Sequence, residues 1–323
     1  MIRNFAYVRA NSIAEAIKAL GTKGAKIHAG GTDLMGCMRD EVFQVEKVVS
    51  ISGLKDLKGI SAKPDGGVKI GALATIAELT ANASLAEKYA VLAQAAAEVA
   101  SPQLREQGTI GGNICQRPRC WYFRGDFHCA RKGGDTCYAV DGENQYHAIF
   151  GGGPCFFVHP SDVAVALVAL QAQVTIAGPS GSRAVKIENF FVSPDKSIEK
   201  ENILAPDEIV TEIHLLPISG KVRSSYRKIR ARRAWDFALA SVGMVLQFEK
   251  ENVSKARIVL GGVAPYPWRV QAAEKLLIGK KPDSAVAAAA GQAAAQGANP
   301  MRDNAYKVEM VKGAVEEAIL ALA

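Results

Sequence analysis

The chain has 323 residues, too many for one ordinary core, so two or three domains are expected. Its content, 49% hydrophobic and 22% charged, is that of a globular protein; no apolar run reaches the roughly 18 residues of a membrane span. The net charge of +7 is dispersed except at "IRARRAW" (229–235), where no stacking aromatics or helix-turn-helix pattern accompany it, so nucleic acid is not an expected partner.

Ser12 and Glu15 form a Ser-x-x-Glu capping box, and Ile13, Ala16, Ile17 and Leu20 give the following helix one apolar face. Residues 25–29 read as a strand entering the turn Gly30-Gly31. A short helix "DLMGCMRDEV" and a strand "KVVSIS" (47–52) complete a small β-α-β-like unit. A strand at 66–73 and an alanine-rich helix at 85–100 follow. The next segment holds five of the six cysteines and three successive glycines (151–153), and reads as irregular. Regular structure resumes at 161 with a helix and a strand. "GPSGS" (178–182) then makes a hairpin, and "PDEIVTEIHL" (206–215) another strand. The remainder is three strand-like runs from 223 and three helices near 268–277, 282–296 and 304–321, an α+β pattern.

Two glycine turns suit an anion. "AGGTDL" (29–34) and "TIGGN" (109–113) let backbone N–H groups approach closely, because glycine has no Cβ. Neither is the Gly-x-Gly-x-x-Gly of a Rossmann unit nor a Walker loop. About 80 residues apart, they could grip one dinucleotide, or be unrelated turns. The cysteines say more. The chain start lacks a signal peptide's apolar core and cleavage site, so a cytoplasmic location is expected. There, clustered thiols hold metal more often than they form disulfides. Cys120, Cys129, Cys137 and Cys155 are separated by 8, 7 and 17 residues, without the short knuckle usual for zinc. Such open loops suit an iron–sulfur cluster on four thiolates; structural zinc and buried free thiols remain alternatives. Arg117, Arg119, Arg124, Arg131 and Lys132 lie among them, as counter-charges would. His128, His147 and His159 have no evident carboxylate partner and read as surface or core residues.

"KIHAGGTDL", "TIGGN", "HPSD" (159–162), "LAPDEIV" (204–210) and "YRKIRARRAWDFALASV" (226–242) occur in one order. With them the whole chain resembles the FAD-binding medium subunit of the xanthine dehydrogenase and aldehyde oxidase family of molybdenum hydroxylases. Most members pass from TIGGN to the Pro-x-Ser-Asp stretch in a few residues, whereas about 45 intervene here. That departure resembles the branch with an extra 4Fe–4S cluster: the medium subunits of 4-hydroxybenzoyl-CoA reductase and of bacterial three-subunit aldehyde oxidoreductases. "QRPRCWYF" and "GGVAPYPWR" look nearest to the latter.

The resemblance implies an FAD-binding fold of the vanillyl-alcohol-oxidase (PCMH) type with an iron–sulfur insertion, plus a C-terminal α/β domain of the CO dehydrogenase flavoprotein type. The implied domains are residues 1–57 and 58–218, the two FAD-binding subdomains, with the insertion at 114–158, and residues 219–323. Lys26, Ile27, His28, Ala29, Gly30, Gly31, Thr32, Asp33 and Leu34 would wrap the FAD pyrophosphate. Thr109, Gly112 and Asn113 would hold it from the other side. Asp162 would bond ribityl or ribose hydroxyls, and Ile209 and Lys228 would lie near the isoalloxazine. Cys120, Cys129, Cys137 and Cys155 would bind the cluster; Cys115, two residues past Asn113, and the remote Cys37 would be spare. No residue is expected to process the organic substrate. Aldehyde or aromatic hydroxylation would occur at a molybdenum cofactor on a large partner subunit. Electrons would travel through 2Fe–2S clusters on a small partner to FAD here, and on to an external acceptor. Export is expected only alongside a Tat-targeted partner. The rival readings are a self-sufficient flavoenzyme and a zinc-stabilised interaction subunit without a redox role.

Overall fold

The computed structural model describes residues 2–323. The first strands are β1 (Ala6–Arg9), β2 (Ala25–His28) and β3 (Lys47–Ser50), with helices α1 (Ile13–Leu20) and α2 (Leu34–Arg39) between them. They form a three-stranded parallel sheet in the order β1-β3-β2. Helix α1 starts where the capping box predicts: the Ser12 side chain accepts the Glu15 N–H, and Glu15 reaches back to the Asn11 N–H rather than to that of the cap residue. Its Ala16 and Leu20 bury against Val49 and Ile51 of the sheet region.

The next stretch holds β4 (Ile60–Ala62), β5 (Val68–Gly71), α3 (Ile76–Ala81), α4 (Ala83–Lys88), α5 (Ala90–Ala97), α6 (Pro102–Gln107), α7 (Ile110–Ile114), α8 (Trp121–Arg124) and α9 (Asp162–Ala169). It closes with β6 (Gln173–Gly178), β7 (Gly181–Lys186) and β8 (Ile209–Leu215), and its five strands pair antiparallel in the order β4-β5-β8-β6-β7. The expected hairpin is β6–β7, turning at Gly178 and Gly181.

Three features differ from the sequence pattern. The alanine-rich helix is broken at Tyr89, which leaves helical geometry (φ −126°, ψ 48°) so that its buried ring can send its hydroxyl to the Leu216 carbonyl at 3.0 Å. The short strand β4 carries almost no apolar signal, its residues being exposed or half-buried. The TIGGN turn is the start of helix α7: Thr109 is its N-cap, accepting the Gly112 N–H at 3.2 Å.

The last stretch is a four-stranded antiparallel sheet, β12-β11-β10-β9, of β9 (Lys221–Ile229), β10 (Ala240–Glu249), β11 (Asn252–Gly261) and β12 (Trp268–Arg269). Helices α10 (Gln271–Leu277), α11 (Ser284–Ala294) and α12 (Tyr306–Leu322) cover it and share its core. Helix α9 is apolar on every side and every residue of it is buried, as expected of a helix enclosed between layers. Burying Val163, Val165 and Leu167 contributes about 1.5–3 kcal/mol each. That rigid helix carries Asp162 at its first position.

The insertion is mostly irregular, with only α8 and one short 3₁₀ turn. It is held by side chains from elsewhere. Lys307 of α12 is fully buried, and its ammonium donates to the carbonyls of Tyr146, His147 and Gly262 at 3.1, 3.2 and 2.8 Å. Asn304 donates to the His147 and Ala148 carbonyls. At the far side the buried Arg131 donates to Ile198 and Glu199 carbonyls and pairs with the Glu201 carboxylate. No helix among the described residues is long and apolar enough to cross a membrane.

Candidate cofactor site

Strand β2 ends in the first glycine turn. Gly31 takes the left-handed conformation (φ 75°), where a side chain would be strained. Gly30 is required for another reason: a Cβ there would collide with the Gln107 carbonyl, just before the second turn. The two turns are therefore packed backbone to backbone, although 80 residues separate them. Together they line one cavity of about 260 Å³, formed by Lys26, Ile27, Ala29 to Leu34, Thr109, Gly112, Asn113, Cys115, Arg117, Arg119 and Ile209, among others.

A second cavity, of about 440 Å³, adjoins it. Trp121, Tyr146, Phe157 and Phe237 give it aromatic walls; His159, Ser161, Asp162 and Ser241 bring polar groups. Ser161 links the two, its hydroxyl donating to the Asn113 side-chain carbonyl at 2.5 Å. A third, smaller space is lined by Cys120, Cys129, Cys137 and Cys155 with Tyr122, Phe123, Arg131 and Phe157. Cys120 and Phe157 line the second space as well as the third, and Arg119 lines the first and the second.

Sequence reasoning placed most of these residues near a cofactor, and three stand differently. His28 lies outside the cavities, with its Nδ1 3.5 Å from the Ser50 hydroxyl. Lys228 also lies outside them. Its ammonium donates to the Asp162 carboxylate at 2.9 Å and to the Glu98 carbonyl at 3.0 Å. Asp162 accepts from Tyr226 as well, at 2.5 Å, so its carboxylate is held by buried partners at the cavity wall. Burial raises its pKa above the usual carboxylate value, and Lys228 opposes that rise. The Asp33 side chain is engaged with the insertion: it accepts the Arg117 N–H and the Arg124 guanidinium, both at 2.7 Å, and the Arg119 guanidinium at 2.9 Å. Tyr226 was not foreseen; it sits two residues before Lys228 on β9, and that period-2 spacing was the available signal.

The arginines test the site's fit to an anion. Arg119 and Arg131 each have a buried Nε without a hydrogen-bond partner, and the buried Arg117 Nε meets only the Glu201 carboxylate, at 3.2 Å. Beside Lys26 and Arg124 they outnumber the carboxylates they meet, Asp33 and Glu201. Burial lowers the pKa of both Arg117 and Arg119. Orphaned donors and surplus positive charge beside two glycine turns fit a diphosphate group.

The thiols fit a soft-metal centre in donor type and not in present spacing. Among the described residues no group of His, Cys, Asp and Glu is arranged to hold a single metal ion. Cys137 and Cys155 are instead coupled to each other, which lowers Cys137 to about 6 and pushes Cys155 up. Cys120 Sγ lies 3.3 Å from His147 Nε2, and burial, with Lys307 nearby, holds that histidine down at about 4. Cys120 and Cys129 pack against Phe123 as small apolar groups do. Cys115 lines the glycine-turn cavity instead, its thiol pushed up to about 12 by burial. Cys37 is buried near the first turn, also raised, to about 11.

Comparison with known proteins agrees with this geometry. Residues 3–217 match the FAD binding domain in molybdopterin dehydrogenase, and residues 224–322 the CO dehydrogenase flavoprotein C-terminal domain. The aldehyde oxidoreductase FAD-binding subunit PaoB of Escherichia coli K12 is 36% identical over 96% of both chains. The glyceraldehyde dehydrogenase medium chain of Sulfolobus acidocaldarius is 29% identical over 95% of this chain and 94% of its own. Among solved structures, a chain of carbon monoxide dehydrogenase from Hydrogenophaga pseudoflava superposes with a TM-score of 0.80 at 26% identity, covering 100% of this chain and 98% of that one. The fold is thus the expected mixed α/β one, an FAD-binding domain followed by a CO dehydrogenase flavoprotein domain. The chain belongs to the family of FAD-binding medium subunits of molybdenum hydroxylases, subunits of oxidoreductases.

Proposed function

We propose that this chain is the FAD- and 4Fe–4S-carrying electron-transfer subunit of a three-subunit, molybdenum-dependent aldehyde oxidoreductase. The observation that carries the reading is continuity: the glycine-turn cavity, the aromatic cavity and the four-cysteine space adjoin through Arg119 and Cys120, neighbours in sequence. A flavin and a cluster held there would lie within short reach of each other.

FAD supplies the conversion between one- and two-electron transfer. Lys26, Ile27 and Ala29 to Leu34, with Thr109, Gly112 and Asn113, would bind its diphosphate. Asp162, held by Lys228 and Tyr226, would accept hydrogen bonds from its hydroxyls, and Ile209 would pack beside it. Cys120, Cys129, Cys137 and Cys155 would hold the cluster after releasing their protons and separating. Arg131, beside Cys155, would offset the thiolate charge. A large molybdenum-cofactor subunit would choose and oxidise the substrate, and a small 2Fe–2S subunit would deliver electrons. The aldehyde assignment rests on the likeness to PaoB.

Cysteine replacement tests the cluster. Cys120→Ser should lose the iron bound by this chain, measured by iron analysis and low-temperature EPR after reduction, whereas Cys115→Ser should keep it. Iron lost at 115 and kept at 120 would refute the ligand set. Zinc in place of iron in the unmodified chain would favour a structural metal.

A further inference from the structure

Among the described residues Arg119 alone lines both the glycine-turn cavity and the aromatic cavity. FAD is built the same way, with a diphosphate between two ring-bearing halves. A ligand threading from one cavity into the other must pass this side chain. One face of its guanidinium lies over the Phe237 ring, 5.2 Å from the centroid. Its Nη2 meets Asp33 at 2.9 Å and donates to Gln116 at 3.2 Å. Its Nε is buried and has no partner. The planar fork is thus held in orientation with donor capacity left over, and a forked pair of N–H groups matches a phosphate.

We propose that Arg119 binds the diphosphate of FAD from the insertion side, opposite the two glycine turns, and so fastens the dinucleotide to the cysteine-bearing segment. The inference rests on the FAD reading above and adds a ligand-contacting residue outside both turns. Asp33 then has a defined part. Through Arg117 N–H, Arg119 and Arg124 it ties the first glycine turn to the insertion, which places Arg119 without cancelling the whole local positive charge.

The test compares three probes on the flavin-stripped full-length chain: FAD, ADP and riboflavin, titrated calorimetrically at low and high salt. Charge-assisted hydrogen bonds of this kind correspond to roughly ten- to hundredfold in affinity. Arg119→Met should weaken FAD and ADP by about that factor and leave riboflavin, which has no phosphate, unchanged. The unmodified chain's FAD affinity should fall with salt more steeply than the variant's. Arg119→Lys keeps the charge and loses the fork, so it should fall between the two; it decides the matter should the methionine variant fail to fold. Equal weakening of riboflavin and FAD would show a role at the rings or in folding and overturn the proposal. So would unchanged FAD affinity in both variants. If the unmodified chain binds none of the three, the FAD reading itself fails, an outcome distinct from either.

Discussion

Lys228→Met tests the buried support of the cavity wall. Lys228 and Asp162 have side chains 1% and 7% exposed and meet at 2.9 Å. Removing one partner of such a pair leaves an uncompensated buried charge, at a cost of about 3–5 kcal/mol. The Glu98 carbonyl also loses its donor. At roughly 2–4 °C per kcal/mol, the melting temperature should fall by about 6–20 °C. The loss should depend on pH in a fixed direction. Burial already raises Asp162, and without Lys228 it rises further. A group whose folded pKa lies above its unfolded value contributes stability at low pH that is lost as pH rises through the folded pKa. The gap between variant and unmodified chain should therefore be smaller at pH 5 than at pH 7, because the isolated carboxyl can take a proton. Asp162→Asn added to Lys228→Met should recover most of the loss. Scanning calorimetry at both pH values reads all of this. A drop under about 2 °C, or a larger gap at pH 5, would refute the reasoning.

Gly112 is exposed at the cavity, and a Cβ there would meet only the Thr109 hydroxyl, at 3.0 Å. Gly112→Val should therefore abolish retained flavin while lowering the melting temperature little; normal flavin content would remove the second turn from the site. Lys307→Met leaves the Tyr146 and Gly262 carbonyls without a donor, at about 1–3 kcal/mol each at most, and leaves the His147 carbonyl to Asn304 alone. It should speed proteolysis or hydrogen exchange within residues 142–148 specifically. Unaltered exchange there would show that α12 does not hold the insertion.

Local chemistry made much of the fold readable. The Ser12 cap, the hairpin at Gly178–Gly181 and the long strands of the C-terminal sheet are set by neighbours in sequence, and each formed near its expected place. Tyr89 broke an alanine-rich helix because of a partner 127 residues away, Leu216, which no propensity contains. Site legibility divides the same way. Glycine turns and clustered cysteines announce themselves by type and spacing. Gly30 looked like an amide-exposing residue, and the Gln107 carbonyl against it is visible only in three dimensions. The arginines among the cysteines read as counter-charges for thiolates; the Arg119 and Arg124 guanidinium groups in fact converge on Asp33, and that of Arg117 pairs with Glu201. Lys228 reads as a flavin neighbour because its position matches the family; its ion pair with Asp162, which lines the aromatic cavity, is visible only in three dimensions.

The central claim is that flavin and an iron–sulfur cluster share this one chain, and it meets its most direct test in the cofactor content of the purified protein. Flavin extraction, iron and zinc analysis and a visible spectrum should together give one FAD and one four-iron cluster per chain, with absorbance bleached on reduction. A colourless protein, or one holding zinc and no iron, would contradict the account.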